Sequence, residues 1–132
     1  MMVSKNLALV RSIFTGWERG DYTSTGWVDP DIEFVFADGP DPGSWSGLAA
    51  TVEVWREFLS AWEGHRSEAM EFREIDSERV CALLHISARG TTSGVETGQR
   101  AASVFTLRSG KVTRLAIYWD SDNALADLGH KE

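Results

Sequence analysis

VFTLRSGKVTRLAIYWD, residues 104–120, is the stretch that settles the architecture. Branched and aromatic residues, which suit a pleated half-buried surface, lie on both sides of Ser109-Gly110, and that dipeptide is a two-residue turn signal. The segment reads as a β-hairpin with Arg108 opposite Lys111. Counting outward sets Thr106 opposite Thr113, Val104 opposite Leu115, Ala102 opposite Ile117 and Arg100 opposite Trp119. Alternation puts these residues on one side of the sheet and Ser103, Phe105, Leu107, Val112, Ala116 and Tyr118 on the other. Both sides are substantially apolar. One is expected to line a core and a pocket. The other needs a second cover, and a homodimer made through the sheet supplies it.

Working upstream, a period of two runs through 66–75, 79–92 and 96–108, with Asp76-Ser77 and Ser93-Gly94 as turns. A two-residue turn at Ser93-Gly94 brings His85 opposite Ala102, Ser87 opposite Arg100 and Leu83 opposite Val104, so that His85 shares a face with Trp119. A three-residue loop would move His85 to the opposite face. The first half of the chain changes period. Leu7, Val10, Ile13, Phe14 and Trp17 mark an amphipathic helix over 4–19, ended by Gly20. Asp21 is placed to cap a short second helix reaching about Val28, which Asp29-Pro30 breaks. IEFVF (32–36) is a strand, followed by the loop ADGPDPGSWSG. A stripe of Leu48, Val52, Trp55, Phe58, Leu59 and Trp62 predicts a helix over 48–63 with Gly64 at its C′ position. Asp120 then caps a last short helix that stops at Gly129. Helices and strands segregated in this order predict one α+β domain over residues 1–132, with helices packed on a mostly antiparallel sheet.

Composition narrows the function. The chain has 132 residues, 42% of them apolar, with six Trp and six Phe, a load that fills cores and lines apolar pockets equally well. A net charge of −7 with no basic run argues against nucleic acid and anionic membrane surfaces as partners. No apolar run approaches the ~18 residues of a membrane span. The single cysteine, Cys81, has no internal disulfide partner, which fits a reducing, cytoplasmic setting. His65, His85 and His130 show no metal-ligand spacing.

Three stretches carry a resemblance: IEFVFADGPDPGSWSGLAA (32–50), the hairpin at 104–120, and the tail DSDNALADLG (120–129). Together with the element order they resemble the SnoaL-like and ketosteroid-isomerase-like branch of the nuclear transport factor 2 superfamily. The likeness is one of pattern and spacing along nearly the whole chain. It implies a cone-shaped fold and a small hydrophobic ligand in the cone. It also implies acid/base chemistry on a carbonyl compound (isomerisation, cyclisation or hydration) without metal or organic cofactor. Asp38 falls where the isomerases carry their catalytic base. Their two oxyanion donors do not carry over: the Tyr position falls near Ile13 and the Asp position on Ala102. Losing one such donor costs ~2.7–4 kcal/mol of barrier, so authentic steroid isomerisation is not expected. A non-catalytic ligand-binding or structural dimer is the competing reading.

The candidate residues follow. Asp38 is either a general base or a turn residue before Gly39-Pro40, with Asp41 a rival in the same loop. His85, if it faces Ala102, stands where the missing Asp would be and can act as acid/base or oxyanion donor; otherwise it is a strand histidine at the surface or an interface. Arg100 can bind a carboxylate or enolate, or stack on Trp119. Trp119 matches an aromatic at the isomerase pocket. Trp45, in the Gly/Pro loop, is placed as a lid. Asp120 is a helix cap that sits beside Trp119. Cys81, between Val80 and Ala82, reads as a structural thiol.

Overall fold

The computed structural model describes residues 4–18, 26–38, 42–60, 62–90 and 96–128. The hairpin at Ser109-Gly110 forms as the sequence predicts. Arg108 pairs with Lys111, and φ is +53° at Ser109 and +77° at Gly110. Two successive positive φ angles give the turn whose twist matches the flanking strands.

In chain order the elements are α1 (Lys5–Glu18), β1 (Val28–Phe36), β2 (Gly43–Ser46), α2 (Leu48–Ser60), β3 (Trp62–Glu74), β4 (Arg79–Gly90), β5 (Glu96–Arg108), β6 (Lys111–Tyr118) and α3 (Ser121–Asp127). The strands form one curved, unclosed sheet in the order β2-β1-β6-β5-β4-β3, antiparallel except where β1 runs parallel to β6.

Several boundaries depart from the sequence reading. The segment expected as the end of a second helix is a turn at Gly26-Trp27 leading into β1 at Val28; residues 19–25, with the expected cap Asp21, lie outside the described residues. Pro30 holds Asp29 extended, and the irregular pairing between Val28 and Glu33 accommodates its missing N–H. Part of the presumed loop, Gly43–Ser46, is a strand on the edge of β1. α2 stops at Ser60, and Trp62 and Gly64 belong to β3, where pairing with β4 as far as Gly90 outcompetes a further helical turn.

The decisive departure is in β6. Leu107 pairs with Val112, but Thr106 then pairs with Arg114, leaving Thr113 as an extra residue whose hydroxyl donates to Thr106 O at 3.3 Å. Beyond this bulge the ladder runs Phe105–Leu115, Val104–Ala116, Ser103–Ile117 and Ala102–Tyr118. The expected partners of Val104 and Ala102, Leu115 and Ile117, are each off by one, and an offset of one exchanges faces.

Two cores result. On one side of the sheet Phe34, Phe36, Val80, Leu84, Phe105, Leu107, Leu115 and Ile117 pack with Val10, Ile13 and Phe14 of α1. α2 closes the same side, through Leu48, Val54 and Trp55. On the other side Cys81, Ala102, Val104, Ala116 and Tyr118 form a smaller cluster, covered by Ala124 and Leu128 of the α3 segment. The second apolar face expected from the sequence is therefore real, and the chain's own last helix covers part of it.

Gly110 occupies a left-handed conformation in open space. Gly110→Val is expected to lower stability by about 1–2 kcal/mol in urea titration through that conformation alone. Ser109→Asn, which suits positive φ, is expected to raise it by a few tenths.

Candidate functional site

Asp38 sits just past β1. Because β1 lies parallel beside β6, with Phe36 paired to Ile117 and Ala37 N–H donating to Ile117 O, Asp38 is delivered to the end of β6. There Trp119 N–H donates to Asp38 Oδ1 at 2.5 Å, and Asp120 N–H and Asn123 Nδ2 donate to Oδ2 at 3.3 and 2.7 Å. Both carboxylate oxygens thus hold the β6–α3 junction. Asp120 is the cap the sequence predicts: its Oδ1 accepts from Asp122 N–H at 2.9 Å. Asp41 lies outside the described residues.

His85 pairs with Arg100, two positions from the expected partner Ala102, while Ala102 faces Leu83. The shift is even, so His85 does share a face with Ala102. Because of the bulge, however, that face continues into Tyr118 and not Trp119. His85 and Arg100 are exposed neighbours on the α3 side of the sheet. Trp119 is half-buried, one residue beyond β6, and out of phase with them. The sequence-based grouping of Asp38, His85 and Trp119 around one hollow is not what the fold assembles. Asp38 is joined to Trp119 through the main chain, and His85 stands apart with Arg100.

Trp45 is on the edge strand β2, not in an open loop, and its half-buried ring packs against Phe34 and Phe36 with centroids 6.4 and 5.8 Å apart. Trp55 of α2 meets Phe34 edge-on at 6.1 Å, and Phe34 meets Phe36 at 5.1 Å. These four rings form a contiguous aromatic cluster between β1, β2 and α2, with Phe34 and Phe36 buried in it. Trp27 continues the aromatic character toward Phe105 at 6.5 Å.

Two groups that sequence reasoning passed over fix α3. Tyr118 OH donates to Asp127 Oδ2 at 2.9 Å, and Asn123 holds Asp38. Burial first, then the Asp127 hydrogen bond, pushes the Tyr118 phenol up to about 12. Burial likewise pushes the Cys81 thiol up to about 11, in keeping with a structural thiol. A Tyr followed by an acid nine residues on is no recognised signal; only the phase of β6 makes it meaningful.

Asp38→Ala is expected to destabilise the fold by about 2 kcal/mol, since hydrogen bonds to a charged group contribute ~1.5–3. Amide exchange across 121–128 should rise first. The Tyr118 phenol keeps its proton in the fold above its ordinary value of 10.0, up to about 12. Between those pH values the unfolded chain has lost a proton the native one retains, so stability falls as pH rises through that window. Tyr118→Phe should flatten this part of the alkaline unfolding curve.

The family model for the SnoaL-like domain matches residues 10–115. A search of the curated proteins finds no match. Among solved structures, TerC co-crystallised with polyporic acid is similar at 21% identity and a TM-score of 0.74, over 96% of this chain and 99% of TerC. An NTF2-like protein of unknown function from Burkholderia pseudomallei is similar at 18% identity and a TM-score of 0.78, over 94% and 97% of the two chains. A candidate polyketide cyclase from Xanthomonas campestris pv. campestris is similar at 18% identity and a TM-score of 0.71, over 94% and 96%. The curved sheet with α1 and α2 on one face is thus the NTF2-like fold, and the chain belongs to the SnoaL-like domain family.

Proposed function

We propose that this protein binds a flat, mostly apolar small molecule against the indoles of Trp45 and Trp55, which stand on the buried rings of Phe34 and Phe36. The observation that carries the reading is the cluster itself. Phe34 is 1% exposed, while the two indoles packed on it, Trp45 and Trp55, are half-buried. Stacked or edge-on aromatic pairs contribute about 0.5–1.5 kcal/mol each beyond area burial, so a planar ligand suits such a surface better than a flexible one. The co-crystallisation of TerC with polyporic acid supports a small-molecule ligand for this fold.

A second reading, an acid/base enzyme acting on a carbonyl-bearing ring compound, is favoured by the cyclase-type neighbour. In that reading Asp38 and His85 would carry the proton transfers, with Arg100 and Asp120 nearby. The hydrogen bonds that engage Asp38, and the place of His85 on the α3 side, set binding ahead of catalysis.

Titration calorimetry with polyporic acid tests the first reading. Trp45→Ala and Trp55→Ala are each expected to weaken binding roughly tenfold, the equivalent of ~1.4 kcal/mol. Wild-type affinity in both variants would reject it. Mass spectrometry of the same mixtures separates the two readings: product that disappears in His85→Ala would establish the enzyme.

A further inference from the structure

We infer that the cavity between α3 and the outer face of β3, β4 and β5 is a second binding site, built for a small molecule with a carboxylate head and a short apolar tail. The cavity measures about 340 Å³ and is lined by Met70, Glu71, His85, Arg100, Ser121 and Leu125, among others. That is within the ~300–1,000 Å³ usual for ligand sites.

Its polar side carries Arg100 and His85, with Glu71 the one acid among the residues that line it. His85 and Arg100 stand directly across from one another on neighbouring strands, and neither side chain makes a hydrogen bond or ion pair with any of the described residues. Ser121, at 9% exposed, is one of the few buried polar residues described, and among the described residues its hydroxyl has no hydrogen-bond partner. A bound acceptor would give that hydroxyl the partner it lacks among the described residues.

The carboxylates nearby are mostly engaged already. Glu71 is held by Arg73, Asp120 by Asp122 N–H and Asp127 by Tyr118. Glu68, across from His85 on β3, and Asp122, next to Ser121 on α3, are the exceptions, and the charge of Glu68 directs an anion to the Arg100 side. There the guanidinium fork suits a carboxylate's two oxygens.

The apolar side is equally defined. Leu125 is 5% exposed, and the bulge between Ala69 and Glu71 turns Met70 outward, leaving it 65% exposed beside the cavity. Methionine adapts to tails of varied shape.

This site lies across the sheet from the aromatic surface, so the two stand or fall separately. The test is a ¹H–¹⁵N NMR titration of the full chain with sodium hexanoate and, in parallel, hexanamide, its uncharged counterpart. Hexanoate is expected to move the amides of His85, Arg100 and Ser121, and hexanamide to bind about tenfold more weakly. Arg100→Gln should cost about tenfold in hexanoate affinity with the remaining spectrum unchanged, and Ser121→Ala a smaller factor. Equal binding of the two probes, shifts confined to the Trp45 side, or no shift at millimolar hexanoate would overturn the assignment. So would a stable dimer in sedimentation that Met70→Glu splits, because it would assign this face to a second copy.

Discussion

One surplus residue, Thr113, decides on which side of the sheet the end of β6 presents its side chains. With a period of two, an insertion of one exchanges the faces of everything beyond it. Leu115 and Ile117 thereby join the helix-covered core, and Ala116 and Tyr118 join the opposite cluster. Without the bulge, Tyr118 would lie beneath α1 and α2, Asp127 would lose its donor, and α3 would meet a different row of side chains.

α3 is the element that most needs this arrangement. Its seven residues are far fewer than the ~12–15 at which an isolated helix becomes even marginal in water. The apolar groups that it and its cap contribute are few: Ala124, Leu125 and Leu128. Two anchors hold it instead: Asp38 with Asn123 at the start, and Tyr118 with Asp127 at the end. The first anchor is a consequence of topology. Only the parallel β1–β6 pair brings the end of the first strand alongside the end of the last. Placed by analogy, Asp38 looks like a base; placed by its hydrogen bonds, it couples β1, β6 and α3.

What the sequence made legible were the features that repeat. The stripes of α1 and α2, the alternation of β4, β5 and β6, and the positive-φ turn at Ser109-Gly110 each depend on local chemistry summed over several residues. The bulge was not legible, because threonine is as welcome in a regular strand as at Thr113. Nor was β2, whose four residues sit among prolines and glycines and gain strand geometry only by pairing with β1. Candidate residues fared according to how far their placement travelled through the register. The Asp120 cap is local and held. His85 kept its side relative to Ala102, since its offset was even. Its relation to Trp119 crossed the bulge and was lost. The donors that occupy Asp38 are largely backbone N–H groups, which no side-chain pattern can announce.

The two faces also differ in how tightly function is bound to folding. On the helix side the indole of the proposed ligand surface also holds β2 to the core: Trp45 contacts Phe34 and Phe36, and Phe34 is among the most buried side chains. β2 is an edge strand with one partner, so removing Trp45 loosens both the ligand surface and the strand carrying it. A ligand bound there would stabilise the fold in proportion to its affinity. On the α3 side His85 and Arg100 are exposed, so their chemistry can change at little cost in stability. A scaffold with one face tied to its core and the other nearly independent of it can alter a polar site without disturbing the apolar one.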